Sequence, residues 1–199
     1  MKRIAAVVGA TLAISLASAG VAHADGKTPP MPMCGGGYIA PPMSTHLTYV
    51  SAHWDVSDDP DDATLGLDAP RGWSFVRTPS GEGRFHHKVG NFLLSLRTTT
   101  EPATTAALMG DQVSELAGTA GLKIVGQHTK VVGEQRWSTL SYRYTSMGEP
   151  RAVKVRWIAF GTDPAAEASL VLTVAGRPLD GKGLDAMLSH VTPTVVLAG

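Results

Sequence analysis

The sequence predicts an α+β fold, an antiparallel β-sheet packed against two or more α-helices. Three features point to it. Residues 135–175 read as three consecutive strands. Leu140, Tyr142 and Tyr144 alternate with Thr139, Ser141 and Arg143; Val153, Val155 and Trp157 alternate with Lys154 and Arg156; Leu170, Leu172 and Val174 alternate with Val171 and Thr173. A period of two gives each strand one apolar and one more polar face. Two further stretches repeat apolar residues at helical spacing. Short connections between the strands favour antiparallel neighbours.

Residues 1–24 read as a secretory signal peptide. Lys2 and Arg3 precede an apolar run from Ile4 to Ala17, and Ala22-His23-Ala24 has the small-x-small form of a cleavage site. The run is too short for a stable anchor, and no later run would cross a bilayer, so no transmembrane anchor is expected after cleavage. Cleavage removes two of 17 basic residues against 17 acidic ones. A near-neutral chain of this kind does not argue for nucleic acid or for docking on anionic lipid. Cys34 is the single cysteine, so no internal disulfide supports the domain. The apolar core must do so, and 43% hydrophobic residues are enough for one domain of this length.

Residues 25–62 read as a tether rich in proline, glycine and aspartate. It holds the only metal-ligand candidates, Met31, Met33 and Cys34 with His46 nearby, because soft sulfur suits Cu(I). A segment without preorganisation argues instead for scattered linker residues, and no metal or cofactor is expected. Pro32 and Met33 precede Cys34 where a lipobox would place small residues, so lipid attachment is not expected either. Residues 46–54 have weak strand character, as an edge strand or a packed arm. The run DVSDDPDD lacks the glycine and glutamate of an EF-hand and reads as a solvated acidic loop.

Residues 63–199 read as one domain. Leu65 and Leu67, then Trp73, Phe75 and Arg77, form two short strands around the turn Pro70-Arg71-Gly72. Gly81-Glu82-Gly83 lacks the pattern of a phosphate loop. Residues 84–89 and 92–97 form a hairpin, with His86 and His87 on opposite faces where they cannot share a metal. Glu101-Pro102 opens a helix whose stripe is Ala106, Met109, Val113, Leu116 and Ala117, stopped at Gly118. A strand over residues 122–130 leads into the three-strand unit. Asp180 can cap a last helix carrying Leu184, Met187, Leu188 and Val191, which Pro193 ends. Residues 194–197 form a final strand or a packed end.

These features together resemble the LpqN/LpqT family of actinobacterial secreted lipoproteins and, more remotely, the PsbP-type fold. The residues that carry the likeness are Leu67-Asp68-Ala69-Pro70-Arg71-Gly72-Trp73, the strand pair from Phe85 to Leu96, the helix from Pro102 to Ala117, the strand bearing Tyr142-Arg143-Tyr144, and the late helix. The resemblance implies a central antiparallel sheet flanked by helices, and a non-enzymatic role at the cell envelope as a binding partner or accessory factor. It supplies no active-site residues, and the missing lipobox favours release or loose envelope association.

No Gly-x-Ser-x-Gly, His-Glu-x-x-His or Cys-x-x-Cys motif is present, so no catalytic residue is expected. The first functional reading is a secreted, envelope-associated binding or accessory protein without catalytic activity, whose partner is an envelope or host protein. Arg143, Lys154 and Arg156, on polar strand faces, are its candidate partner-binding face. The second is a module for lipid or another small hydrophobic ligand, with Trp73, Trp137, Trp157, Tyr142 and Tyr144 lining a groove. A hydrolase ranks third.

Overall fold

A computed structural model describes residues 40–59, 61–87 and 91–199. The expected signal peptide, the tether as far as residue 39, and with it Met31, Met33 and Cys34, lie outside the described residues. So does the hairpin segment 88–90.

The first described strand is β1 (Tyr49–Asp55), followed by β2 (Thr64–Pro70). Together with β10 (Val196–Ala198) at the far end of the chain, they form a three-stranded sheet in the order β1-β2-β10. The larger sheet comprises β3 (Ser74–Arg77), β4 (Gly83–His86), β5 (Leu93–Thr98), β6 (Lys123–Val132), β7 (Gln135–Ser146), β8 (Glu149–Phe160) and β9 (Leu170–Gly176). Its order is β3-β4-β5-β9-β8-β7-β6, antiparallel throughout. Helix α1 (Thr105–Glu115) lies between β5 and β6 in the chain, and α2 (Gly181–Val191) follows β9.

The expected single sheet is therefore two sheets. The strands on either side of Pro70-Arg71-Gly72 do not pair with each other. Gly72 takes φ of 82°, and the corner carries the chain from one sheet to the other. One face of the large sheet packs against α2 and the small sheet. Leu94, Leu96, Leu170, Leu172 and Val174 meet Leu65, Leu67, Leu184, Met187 and Leu188 there, all essentially buried. The opposite face packs against α1, with Leu140, Tyr142, Val153, Val155, Trp157 and Val171 beneath half-buried Leu108, Met109, Val113 and Leu116. The result is a strand-dominated α+β sandwich.

The tether expected over 25–62 gives way to ordered structure in its described part. Met43 is buried, and β1 pairs along its whole length with β2. The physical reason is Trp54. Its ring packs against Gly83, where an added Cβ would come within 2.3 Å of it, and its Nε1 donates to the Gly81 carbonyl at 3.1 Å. Gly83 thus makes room for an indole that comes from residues 25–62, while Gly81 supplies its hydrogen-bond acceptor and has Val56 against its own Cα. A second anchor holds the chain just before β1. Arg177 donates to the Ala40 and Pro41 carbonyls at 2.8 and 2.7 Å, and the buried Asp180 carboxylate accepts from the Met43 N–H at 2.9 Å.

Asp180 does occupy the N-cap position of α2, but its side chain does not cap the helix. It accepts instead from Met43 and from the Arg177 N–H and guanidinium. Helix α1 begins three residues later than Pro102. Thr104 caps it by accepting from the Ala107 N–H, and buried Thr105 accepts from Ser138 Oγ of β7 at 2.8 Å. Ala106 and Ala117, expected on its apolar stripe, are exposed; Leu108 takes their place toward the sheet.

Candidate functional site

Antiparallel register decides which side chains share a face. Across β6, β7 and β8 the partners run His128–Thr139–Arg156 and Gly126–Ser141–Lys154, with Lys123 opposite Arg143 and Lys130 opposite Trp137. Directly opposed residues project to the same side. This side is the α2 side, since Arg156 Nη1 donates to Thr192 Oγ1 at 2.6 Å just past the end of α2, and Lys154 pairs with Asp185 of α2. Lys123, His128, Lys130, Arg143, Lys154 and Arg156 therefore line one face.

A bulge between Ile124 and Gly126 makes this possible. In a regular strand Lys123 and Lys130, seven apart, would project to opposite sides. The extra residue resets the alternation, and both lysines fall on the α2 side.

The three residues expected as a solvated binding face are brought together, but they are not equally solvated. Arg143 is exposed. Lys154 keeps only 17% of its side chain exposed and ties β8 to α2 through Asp185. Arg156 is buried at 5% exposure, which corrects its placement on an open polar face. The reason is that α2 and the turn after it cover this part of the sheet. Arg156 Nε donates to Thr139 Oγ1 at 3.0 Å, and its guanidinium carbon lies 4.6 Å from the Trp137 ring centre. Among the described residues no carboxylate pairs with it. Burial pushes its pKa down to about 10, with Asp185 opposing, so it stays cationic at neutral pH.

Lys130 Nζ lies 5.3 Å from the same Trp137 ring, which thus meets two cations. His128 is exposed, and its pKa is lowered by partial burial and by Arg156, Lys130 and Lys154, with Asp185 opposing. The imidazole reports the field of this face: three cations act on it against one acid. His128, Lys130 and Lys123 were not identifiable from the sequence as members of a site. The available signal was the His-x-Lys spacing in a strand, which sets two such side chains on one face.

The other expectations are resolved by position. His46 is exposed, with its backbone N–H bonded to Ser44, and no cluster of metal-ligating side chains occurs among the described residues. Trp137 and Trp157 face opposite cores, the first toward α2 and the second, with Tyr142 and Tyr144, toward α1. Trp73 stacks on Phe92 at 6.2 Å. These aromatics line no common groove.

Serine, aspartate and histidine do meet at one point. Ser51 Oγ donates to Asp68 Oδ1 at 2.7 Å, and His190 Nε2 lies 3.8 Å from Asp68 Oδ2, stacked on Tyr49. The order is serine–aspartate–histidine. A nucleophilic serine must give its proton to the imidazole, whereas here the carboxylate takes the hydroxyl. This cluster binds β1, β2 and α2 to one another. Two surface depressions lie elsewhere: one of about 490 Å³ beside Trp54, Phe75 and Arg77, and one of about 510 Å³ beside Gln135 and Phe160.

No family model and no curated protein matches the chain. Among solved structures it is similar to LpqN, involved in cell envelope biogenesis of Mycobacterium tuberculosis. The TM-score is 0.49 and the identity 17%, over 75% of this chain and 92% of that one. The cyanobacterial PsbP (CyanoP) of Synechocystis sp. PCC 6803 gives 0.48 and 15%, over 82% and 96%. PA94 of Pseudomonas aeruginosa, a protein of unknown function, gives 0.42 and 15%, over 72% and 92%. At these scores the likenesses carry no argument, and the fold rests on the strand order described above. No helix among the described residues is long and apolar enough to cross a membrane.

Proposed function

We propose that this is a secreted, cell-envelope-associated binding or accessory protein, without catalytic activity, that engages an acidic protein surface through the α2-side face of β6–β8. One observation carries the reading. A chain with 17 basic and 17 acidic residues gathers Lys123, His128, Lys130, Arg143, Lys154 and Arg156 on a single sheet face, where Asp185 is the one acid acting on His128 and Arg156. Segregating charge in this way steers an oppositely charged partner and orients it on arrival. The signal peptide read from the sequence supports the compartment. The placement of the aromatics in two separate cores favours this reading over a lipid-binding groove.

The test is capture from an envelope fraction by the wild-type chain and by the double variant Lys130→Glu/Arg143→Glu. Both positions are exposed, so the variant keeps its fold, as circular dichroism would verify. The expected result is a partner that is retained at low salt, released as salt rises and lost with the variant. Equal capture by the two chains would overturn the proposal.

A further inference from the structure

Strand β6 ends the seven-stranded sheet, so one row of its backbone N–H and C=O groups has no strand partner among the described residues. It is ten residues long, against four for β3 at the opposite edge. Val125, Val131 and Val132 on it are 55%, 44% and 42% exposed. From Gly126 to Val132 its ladder with β7 runs without interruption. Seven residues of regular strand offer a template roughly 23 Å long.

We infer that β6 accepts an extended acidic segment of a partner protein as an eighth strand, paired along residues 126–132. This rests on the cationic face proposed above and adds the binding mode and the chemistry of the bound segment. Charge selects the occupant. An added strand paired along 126–132 places every second side chain beside His128 and Lys130, with Lys123 just beyond the bulge, so glutamates or aspartates at alternate positions would meet Lys130 and the positive field of this face. A second copy of this chain fits badly, because antiparallel pairing of two β6 strands brings two copies of the same cationic face side by side, and like charges brought together destabilise. Edge lysines and a bulge are the ordinary guards against promiscuous pairing. Here they discriminate: they repel a basic strand, leave a neutral one without charge attraction, and favour an acidic one. Main-chain hydrogen bonds would supply affinity and the alternating carboxylates specificity, as in other strand-addition complexes.

The probe is a synthetic eight-residue peptide alternating glutamate and valine, titrated by fluorescence anisotropy against the full chain at low salt. Three companions accompany it: one with lysine for glutamate, and two N-methylated at one or the other set of alternate amides. The acidic peptide is expected to bind and the lysine peptide not to. Only one alternate set of amides faces β6 in a paired strand. Methylating that set should weaken binding about tenfold or more, and methylating the other should change it by less than about twofold. Amides of residues 126–132 should gain exchange protection in the complex. Two unaffected N-methylated peptides would overturn strand addition while leaving contact with the cationic face intact. Failure of the acidic peptide to bind would also overturn it. Binding that survives Lys130→Glu/Arg143→Glu would instead remove the face proposed above.

Discussion

At the level of single residues, His128 is the most direct gauge of the site. Partial burial and the cations Arg156, Lys130 and Lys154 all disfavour its protonation. Its midpoint in an NMR titration should fall below the ordinary 6.5 and move back up in Lys130→Ala. The sign for stability follows. The unfolded chain binds this proton more readily than the folded one, so stability rises with pH between the lowered value and 6.5. His128→Gln should flatten that part of the curve. Gly83 supplies a test of packing. A methyl group there would sit 2.3 Å from the Trp54 ring, which is itself buried. Gly83→Ala should cost about 1–3 kcal/mol in urea unfolding, and the loss should shrink in a Trp54→Leu background. Arg156 shows what a strand pattern leaves out. Alternation correctly put it on the face opposite Val155 and Trp157. It could not say that α2 lies over that face, because burial of a polar position depends on a helix thirty residues further along.

At the level of elements, the three-strand unit was the most legible part. β7, β8 and β9 bury alternate residues in two cores, as the apolar spacing required. The β7–β8 turn is tighter than expected. Ser146 pairs with Glu149, leaving Met147 and Gly148 at φ of 51° and 82°, and Pro150 lies within β8. Two successive positive φ values are those of a type I′ turn, where asparagine outperforms methionine. Met147 is 90% exposed and packs on nothing, so Met147→Asn should stabilise the domain by about 0.5 kcal/mol, read as a higher urea midpoint at unchanged slope. β1 was the least legible element. Proline-rich and aspartate-rich segments flank it, and its partner strand, the glycine at 83 under Trp54 and the stacking of Tyr49 on His190 are all distant in sequence. The cationic stripe of β6 was hidden for a different reason: a one-residue bulge reverses the side chains on either side of it, and no periodicity announces where that bulge falls.

For the whole molecule, neutrality of the sum concealed separation of the parts. Acids gather at residues 55–62, and bases on β6–β8. Two ionisable groups bracket the pH range of the fold. Burial tends to raise the Asp180 pKa, but the bonds from Arg177 and from the Met43 backbone outweigh it and hold the group below its ordinary 3.8. Its contribution is therefore present above about pH 4 and lost as pH falls through the lowered value. Asp180→Asn should cost about 2–3 kcal/mol at pH 7, and the cost should shrink as pH falls below 3.8, measured by urea melts. At the alkaline end, burial first and Tyr144 second push Tyr142 up to about 12. The folded state keeps this phenol neutral, so stability holds below pH 10 and declines as pH rises toward 12. Absorbance of tyrosinate should show Tyr142 titrating together with unfolding, and Tyr142→Phe should move the alkaline transition upward.

The Arg177–Asp180 anchor also fixes how this body answers mechanical load. A pull applied at residue 40 reaches the backbone first at the carbonyls of Ala40 and Pro41 and the amide of Met43, all held by two neighbouring side chains ahead of α2. Those bonds lie in series with the β1–β2 ladder and must yield before any strand is stretched. Under tension the anchor is thus a fuse, and Arg177→Ala should show its first rupture at lower force while leaving the later, sheet-breaking events unchanged.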